Sequence, residues 1–407
     1  MRRVLRYRDS QLFVLGLVLS VIGLFLIFDA GYPRSIQAGR GAVPREFWMQ
    51  SVCLAIGLAA AAMVSRLHWK DWLKASKFVW MLAFGLLVAV AIPGVGVEMN
   101  GAVRWLRLGP FLLQPSEFAK VALVLYLAGV LAVRKPRRSQ KGRPMGIALW
   151  LDNVAVPKVK RWLPGVWALI AVALIALEPD LGTAAVLAVT AFAMFVVGGA
   201  TTKSLLFGAA VGAVGVFALV LAEPYRMERI LNHYHRYEQS RIDDIGYQTV
   251  QSELSMASGG LIGVGVGAGR AKHVLPAATT DFVSTTLAEE AGFLGWLAVV
   301  SLLLALTVRL FVLAKRAPSR FSSLVLAGVG SWIGLQSITN LLMANGTLPA
   351  IGIPLPFLSY GGSSLIALWI AMGVCQAALA PKPIPKEERF APGDHRWRHR
   401  RPRLSRA

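Results

Sequence analysis

Apolar residues in this chain gather into runs of about 20, long enough to cross a bilayer, separated by polar gaps. Ten runs are predicted to be spans, at approximately 11–30, 47–65, 77–93, 116–133, 163–178, 183–200, 204–222, 286–312, 322–345 and 360–380. Glu178, Pro179 and Asp180 leave only a tight turn between the fifth and sixth, and the longest gap, 223–285, separates the seventh and eighth. The pattern predicts an all-α polytopic membrane protein, with a short N-terminal segment over 1–10, one transmembrane domain over 11–380 and a basic tail over 381–407. The first run is too long for a signal-peptide core and is read as a retained span.

Composition agrees: of 407 residues, 56% are hydrophobic and 16% charged, which excludes a soluble globular class. A net charge of +22 first suggests nucleic acid, but the basic residues sit in the gaps and the tail, so no nucleic-acid partner is expected. They gather at Arg2–Arg8, Arg66–Lys77, Arg134–Arg161, Lys315–Arg320 and Arg396–Arg406. With ten spans these all fall on one side together with both termini, and that side is the cytoplasm. The tail reads as a disordered, topology-fixing segment that touches anionic membrane lipids. Cys53 and Cys375 lie inside apolar runs and imply neither a disulfide nor a metal site.

Candidate chemistry concentrates in three places. The first is 246–295, which is rich in glycine and carries Asp281, Glu289 and Glu290. Irregular backbone at a membrane face persists only when it is packed in protein or lines a wet cavity. Asp281, at the outer edge of the eighth span, suits a general base with a raised pKa; equally, it suits an N-cap for that span. Glu289 and Glu290 are intramembrane acids with either a functional role or a structural pairing. The second place is 100–120, NGAVRWLRLGPFLLQPSEFAK. There Arg104, Trp105 and Arg107 suit phosphate and headgroup contact, and Glu117 and Lys120 share one face as either a structural staple or a cavity floor. The third is 345–364, NGTLPAIGIPLPFLSYGGSS, which is read as a broken segment presenting Ser359 and Ser363 to a cavity or, alternatively, as a rigid turn. The run GVGVGAG at 263–269 lacks the context of a nucleotide loop, and His233 and His235 do not have a spacing that demands a metal.

Taken together, these stretches resemble the SEDS family (shape, elongation, division and sporulation). EPDLGT at 178–183, PYRMERI at 224–230, GYQ at 246–248, LPAATTDF, EEAGFLG and PLPFLSYGGSS stand in the family's order over about 10–380. The resemblance implies a peptidoglycan glycosyltransferase that polymerises lipid II on the outer face of the cytoplasmic membrane, alongside a class B penicillin-binding protein transpeptidase. It implies that Asp281 is the essential aspartate, with Glu117 and Lys120 as the paired residues of the QPSE motif. Ala277 and Thr279 replace the family's usual glutamate and histidine, and FDAG at 28–31 replaces a serine-bearing motif. Arg104, Arg107, Arg226, Arg229, Arg270 and Lys272 are on the right side to meet a pyrophosphate leaving group. No cofactor follows from the residues, and a divalent cation, Mg or Mn, is left open. A lipid II flippase and a non-catalytic scaffold activating a transpeptidase are the rival functions.

Overall fold

The computed structural model describes residues 9–99, 101–109, 111–133, 156–222, 224–238 and 246–380. The first arginines, most of the 134–161 gap and the basic tail lie outside the described residues. Six helices are long and apolar enough to cross a membrane: α1 (Ser10–Gln37), α2 (Arg45–Val64), α3 (Trp69–Val90), α4 (Pro115–Val133), α11 (Val283–Lys315) and α12 (Arg320–Ala344). Shorter apolar helices stand at the other four expected positions: α5 (Val156–Leu177), α6 (Leu181–Val197), α7 (Thr202–Ala222) and α13 (Gly362–Ala378).

Burial sorts these helices. In α4 and α12, 78% of the most apolar window is buried, against 28–39% in the other four long helices. The first two are therefore the centre of the bundle, and the rest turn apolar surface outward, as lipid-facing spans do. Between α4 and α12 lies a small polar core. Lys120 Nζ donates to Glu117 Oε1 at 2.8 Å and to Gln336 Oε1 at 3.1 Å, and it stands 5.1 Å from the Trp332 ring centroid. Removing one partner of such a buried ion pair costs about 3–5 kcal/mol.

The chain alternates direction through the bundle, so the connections after α1, α3, α5, α7 and α12 meet at one end. The stretch after α3 adds something the helical pattern did not predict, a three-stranded antiparallel sheet of β1 (Gly96–Met99), β2 (Ala102–Leu108) and β3 (Phe111–Leu113). Its signal is the short alternation VRWLRL between Gly101 and Gly109, whose φ values of +73° and +61° let the chain reverse.

The long gap before α11 holds three short helices, α8 (Pro224–His235), α9 (Tyr247–Ser258) and α10 (Ala271–Val274). Between α9 and α10 the glycine-rich loop docks on a kink in α11 at Gly292 (φ 68°). There Phe293 and Leu294 amides donate to Gly260 and Leu261 carbonyls at 2.9 and 3.1 Å, and Val264 and Gly265 amides donate to Glu289 and Glu290 carbonyls at 3.0 and 3.1 Å. The loop thus satisfies the backbone groups that the kink releases. The approach requires bare glycine: a Cβ on Gly263 (φ +85°) would lie 2.0 Å from the Glu290 carbonyl oxygen. Gly263→Ala is expected to cost about 3 kcal/mol through strain and clash, lowering the melting temperature in detergent by several degrees; an unchanged melt would contradict this packing.

Candidate active site

Asp281 sits in irregular chain between α10 and α11, and the backbone there is pinned at three successive carbonyls. Thr279 O accepts from the Tyr360 amide at 2.8 Å, Thr280 O from Ser359 Oγ at 2.6 Å and Asp281 O from Asn340 Nδ2 at 2.8 Å. The segment that supplies Ser359 and Tyr360 is held in turn. Asn340 and Gln336, one turn apart on α12, also clasp the carbonyls of Ile353 and Pro354 at 2.7 and 2.8 Å. Gln50 on α2 donates to Ser359 O at 3.2 Å and accepts from the Gly361 amide at 3.1 Å.

With its backbone fixed, the Asp281 side chain does not cap α11. That helix begins at Phe282 without a side-chain cap, which rules against the N-cap alternative. The carboxylate instead opens into a cavity of about 1140 Å³. Gly352 flanks it, and a Cβ there would stand 3.5 Å from Asp281 Oδ2. The Asp281 pKa is raised to about 6, chiefly by burial, with Arg229 opposing the shift, Asp180 adding to it and Arg104 opposing it.

Arg40, Arg45, Arg104 and Arg229 line the same cavity, as do Glu46, Glu117, Asp180 and Asp281. Arg104 on β2 donates to the carbonyls of Glu178, at 2.9 Å, and Pro179, the end of α5. Burial pushes the Glu178 carboxyl up to about 8, with Asp180 raising and Arg104 lowering it, so at neutral pH it is mostly uncharged and leaves the Arg104 charge to the cavity. Asp180 caps α6 through Thr183 N at 3.1 Å and accepts from Gln114 Nε2 at 3.1 Å. Arg229, on α8, donates to Ala350 O at 3.0 Å. Along α2, Arg45, Met49, Cys53 and Ile56 share one face of the cavity wall, so the wall turns from cationic to apolar along the helix.

Of the residues singled out by sequence, Asp281, Arg104, Trp105, Glu117, Arg229 and Ser363 line the cavity. Ser363 also ties β3 to α13, accepting from Gln114 N and donating to Leu112 O, both at 3.1 Å. Ser359 is a backbone strap, and Lys120 lies behind Glu117 in the polar core. Arg107 and Arg270 are exposed and do not line the cavity. Lys272 is buried between Asp29 and Glu290. Arg226 lies on α8, and its side chain is outside the described residues. Glu289 and Glu290 bind the amides of Ala271, Gly267 and Gly269, so they shape the glycine-rich loop. Sequence reasoning missed Arg40, Arg45, Gln50, Gln114 and Gln336. Amides at or inside apolar runs were the available signal for the last three. Among the described residues no group of three or more His, Cys, Asp or Glu side chains is arranged to hold a metal ion.

Comparison with known proteins places this arrangement. The family model described as "Cell cycle protein" (FTSW_RODA_SPOVE) matches residues 9–381. The chain is 36% identical over 371 residues to a probable peptidoglycan glycosyltransferase FtsW of Nitrosococcus halophilus, covering 90% of this chain and 91% of that one. It is 34% identical to the stage V sporulation protein E of Bacillus subtilis, covering 90% and 95%. Among solved structures, a chain from a peptidoglycan synthase complex with coordinated polymerisation and crosslinking is 30% identical, with a TM-score of 0.71 over 95% of this chain and 99% of that one. The rod-shape-determining protein RodA of Thermus thermophilus is 29% identical, with a TM-score of 0.63 over 92% and 97%. The protein belongs to the FtsW/RodA/SpoVE family of polytopic membrane proteins.

Proposed function

We propose that this protein polymerises lipid II into glycan strands, with Asp281 as the general base. The observation that carries the reading is a carboxylate with a pKa of about 6, facing a large cavity whose cations include Arg104 and Arg229. A base works best when its pKa lies near the working pH, which makes it both ionised and able to accept a proton. Asp281 takes the proton of the acceptor's 4-hydroxyl as that oxygen attacks C1 of the donor sugar. The bond from C1 to the pyrophosphate breaks, and the anomeric centre inverts. Arg40, Arg45, Arg104 and Arg229 meet the charge that develops on the leaving group. Met49, Cys53 and Ile56 continue the wall into apolar surface suited to the polyprenyl chain. Glu117 shapes the cavity floor, and no step is routed through a metal ion.

The cavity end of the bundle faces the outside of the cytoplasmic membrane. In support, Arg66, Lys70, Lys315, Arg316 and Arg320 cluster at the opposite end, as the positive-inside rule requires of the cytoplasmic face. A class B penicillin-binding protein is the partner, a reading supported by the likeness to a synthase complex that couples polymerisation with crosslinking. The flippase reading is weaker, because the cavity's polar groups collect at one end of the bundle and not at the midplane.

Asp281→Asn should lower polymerisation of purified lipid II by about 10²–10⁴-fold. A buried acid with a raised pKa stabilises the fold in its protonated form, and that contribution is lost as pH rises through about 6. The ionised group therefore costs stability at neutral pH, and the Asn variant should melt no lower than wild type. Polymer formed at the wild-type rate by that variant would overturn the assignment. The wild-type rate should fall as pH drops through about 6. Because Arg229 holds the Asp281 pKa down, Arg229→Gln should move that limb to higher pH as well as slow the reaction; a pH–rate profile reads both.

A further inference from the structure

Lys272 does not reach the cavity. Its Nζ is buried 2.8 Å from Asp29 Oδ1 on α1 and 2.7 Å from Glu290 Oε1 on α11. Glu290 also accepts from the amides of Gly267 and Gly269, both at 3.1 Å. Asp29 is different: its Oδ2 is buried and without a hydrogen-bond partner, and its Oδ1 receives Lys272. Further along α1, Arg34 donates to the carbonyls of Leu275 and, at 2.8 Å, Pro276. Helix α1 therefore grips both ends of the segment 272–276. That segment runs directly into the pinned carbonyls of Thr279, Thr280 and Asp281.

We propose that Asp29 and Arg34 are positioning residues for the reaction, holding the 272–281 strap down on the bundle so that Asp281 stays at its half-buried place on the cavity wall. The inference rests on Asp281 being the base. A buried ammonium cannot leave its carboxylates without a large cost, so the strap cannot lift while Lys272 is engaged. A lifted strap would admit water to Asp281, and burial is the main cause of its raised pKa. The charged groups facing Asp281 are Arg229 from α8, Asp180 from the α5–α6 turn and Arg104 from β2. Those facing Lys272 are Asp29 from α1 and Glu290 from α11. Changing Asp29 or Arg34 leaves all three neighbours of Asp281 in place, so a moved pH profile reports the position of the strap and not a lost charge.

The test is the pH–rate profile for lipid II polymerisation by the full chain, as wild type, Asp29→Ala, Asp29→Asn and Arg34→Ala, each checked for folding by thermal melt. Asp29→Ala and Arg34→Ala should lower kcat about 10- to 100-fold with KM little changed. Their acid limb should move from about 6 toward the ordinary carboxylate value of 3.8. Asp29→Asn keeps an oxygen for Lys272 and should stay near wild type. Arg34 is exposed, so its variant decides the question if Asp29→Ala fails to fold. A folded Asp29→Ala or Arg34→Ala with wild-type kcat and acid limb overturns the proposal. Full activity in Asp281→Asn would instead overturn the base itself, and this inference with it.

Discussion

Irregular backbone at the edge of a bilayer must find a hydrogen-bond partner for every carbonyl it exposes, and that requirement shapes the whole upper end of this molecule. The strap carrying Asp281 has no strand neighbour to pair with. Its carbonyls are met by the Ser359 hydroxyl and the Tyr360 amide of the segment between α12 and α13 and by the Asn340 side chain of α12. That segment is equally irregular and is clasped by Asn340 and Gln336 from α12 and by Gln50 from α2. Two loops that would each be untenable alone thus complete one another over a scaffold of rigid helices. Rigid support of this kind is what a reacting carboxylate needs, since small displacements are costly in rate.

The acids of this chain separate by how fully they are partnered. Glu289 and Glu290 accept amides and a lysine, and their charge is consumed in folding the glycine-rich loop. Asp180 caps a helix while facing the cavity. Glu178 is buried without a partner on either oxygen and avoids the cost by holding its proton at neutral pH. Asp281 faces the same cavity without capping a helix, with its pKa raised and with Arg229 and Arg104 nearby, the setting that the proposed base requires.

The apolar runs made the helical bundle legible, because a span announces itself in any window of its length. The sheet was less visible: its alternation lasts only a few residues and sits beside a long apolar run that dominates the pattern. Asp281 could be found from its place in LPAATTDF, but choosing between base and helix cap required seeing that Phe282 holds the cap position. Arginines on the correct side could not be ranked, because membership of the cavity depends on how distant loops converge. Arg40 and Arg45 reach it from the α1–α2 connection, whereas Arg270, closer in sequence to Asp281, faces outward. Lys272 looked like a phosphate ligand and is a buried tie, because its two carboxylates come from α1 and α11, far apart in the chain.

Asp29 shows why a departure from a family pattern is best read in three dimensions. Read along the chain, FDAG is a substitution in an apolar run, and an acid there carries a cost. In space it meets a lysine that would otherwise share a single carboxylate, and it does so beside the strap that bears the reactive group. The same helix then reaches the strap again through Arg34. A membrane bundle has little hydrophobic force to press polar loops against it, so such loops are held by hydrogen bonds and buried ion pairs. If Asp281 is the base, its setting depends on ties placed well outside the cavity, and the α1–α11 frame matters to it as much as its neighbours in the cavity do.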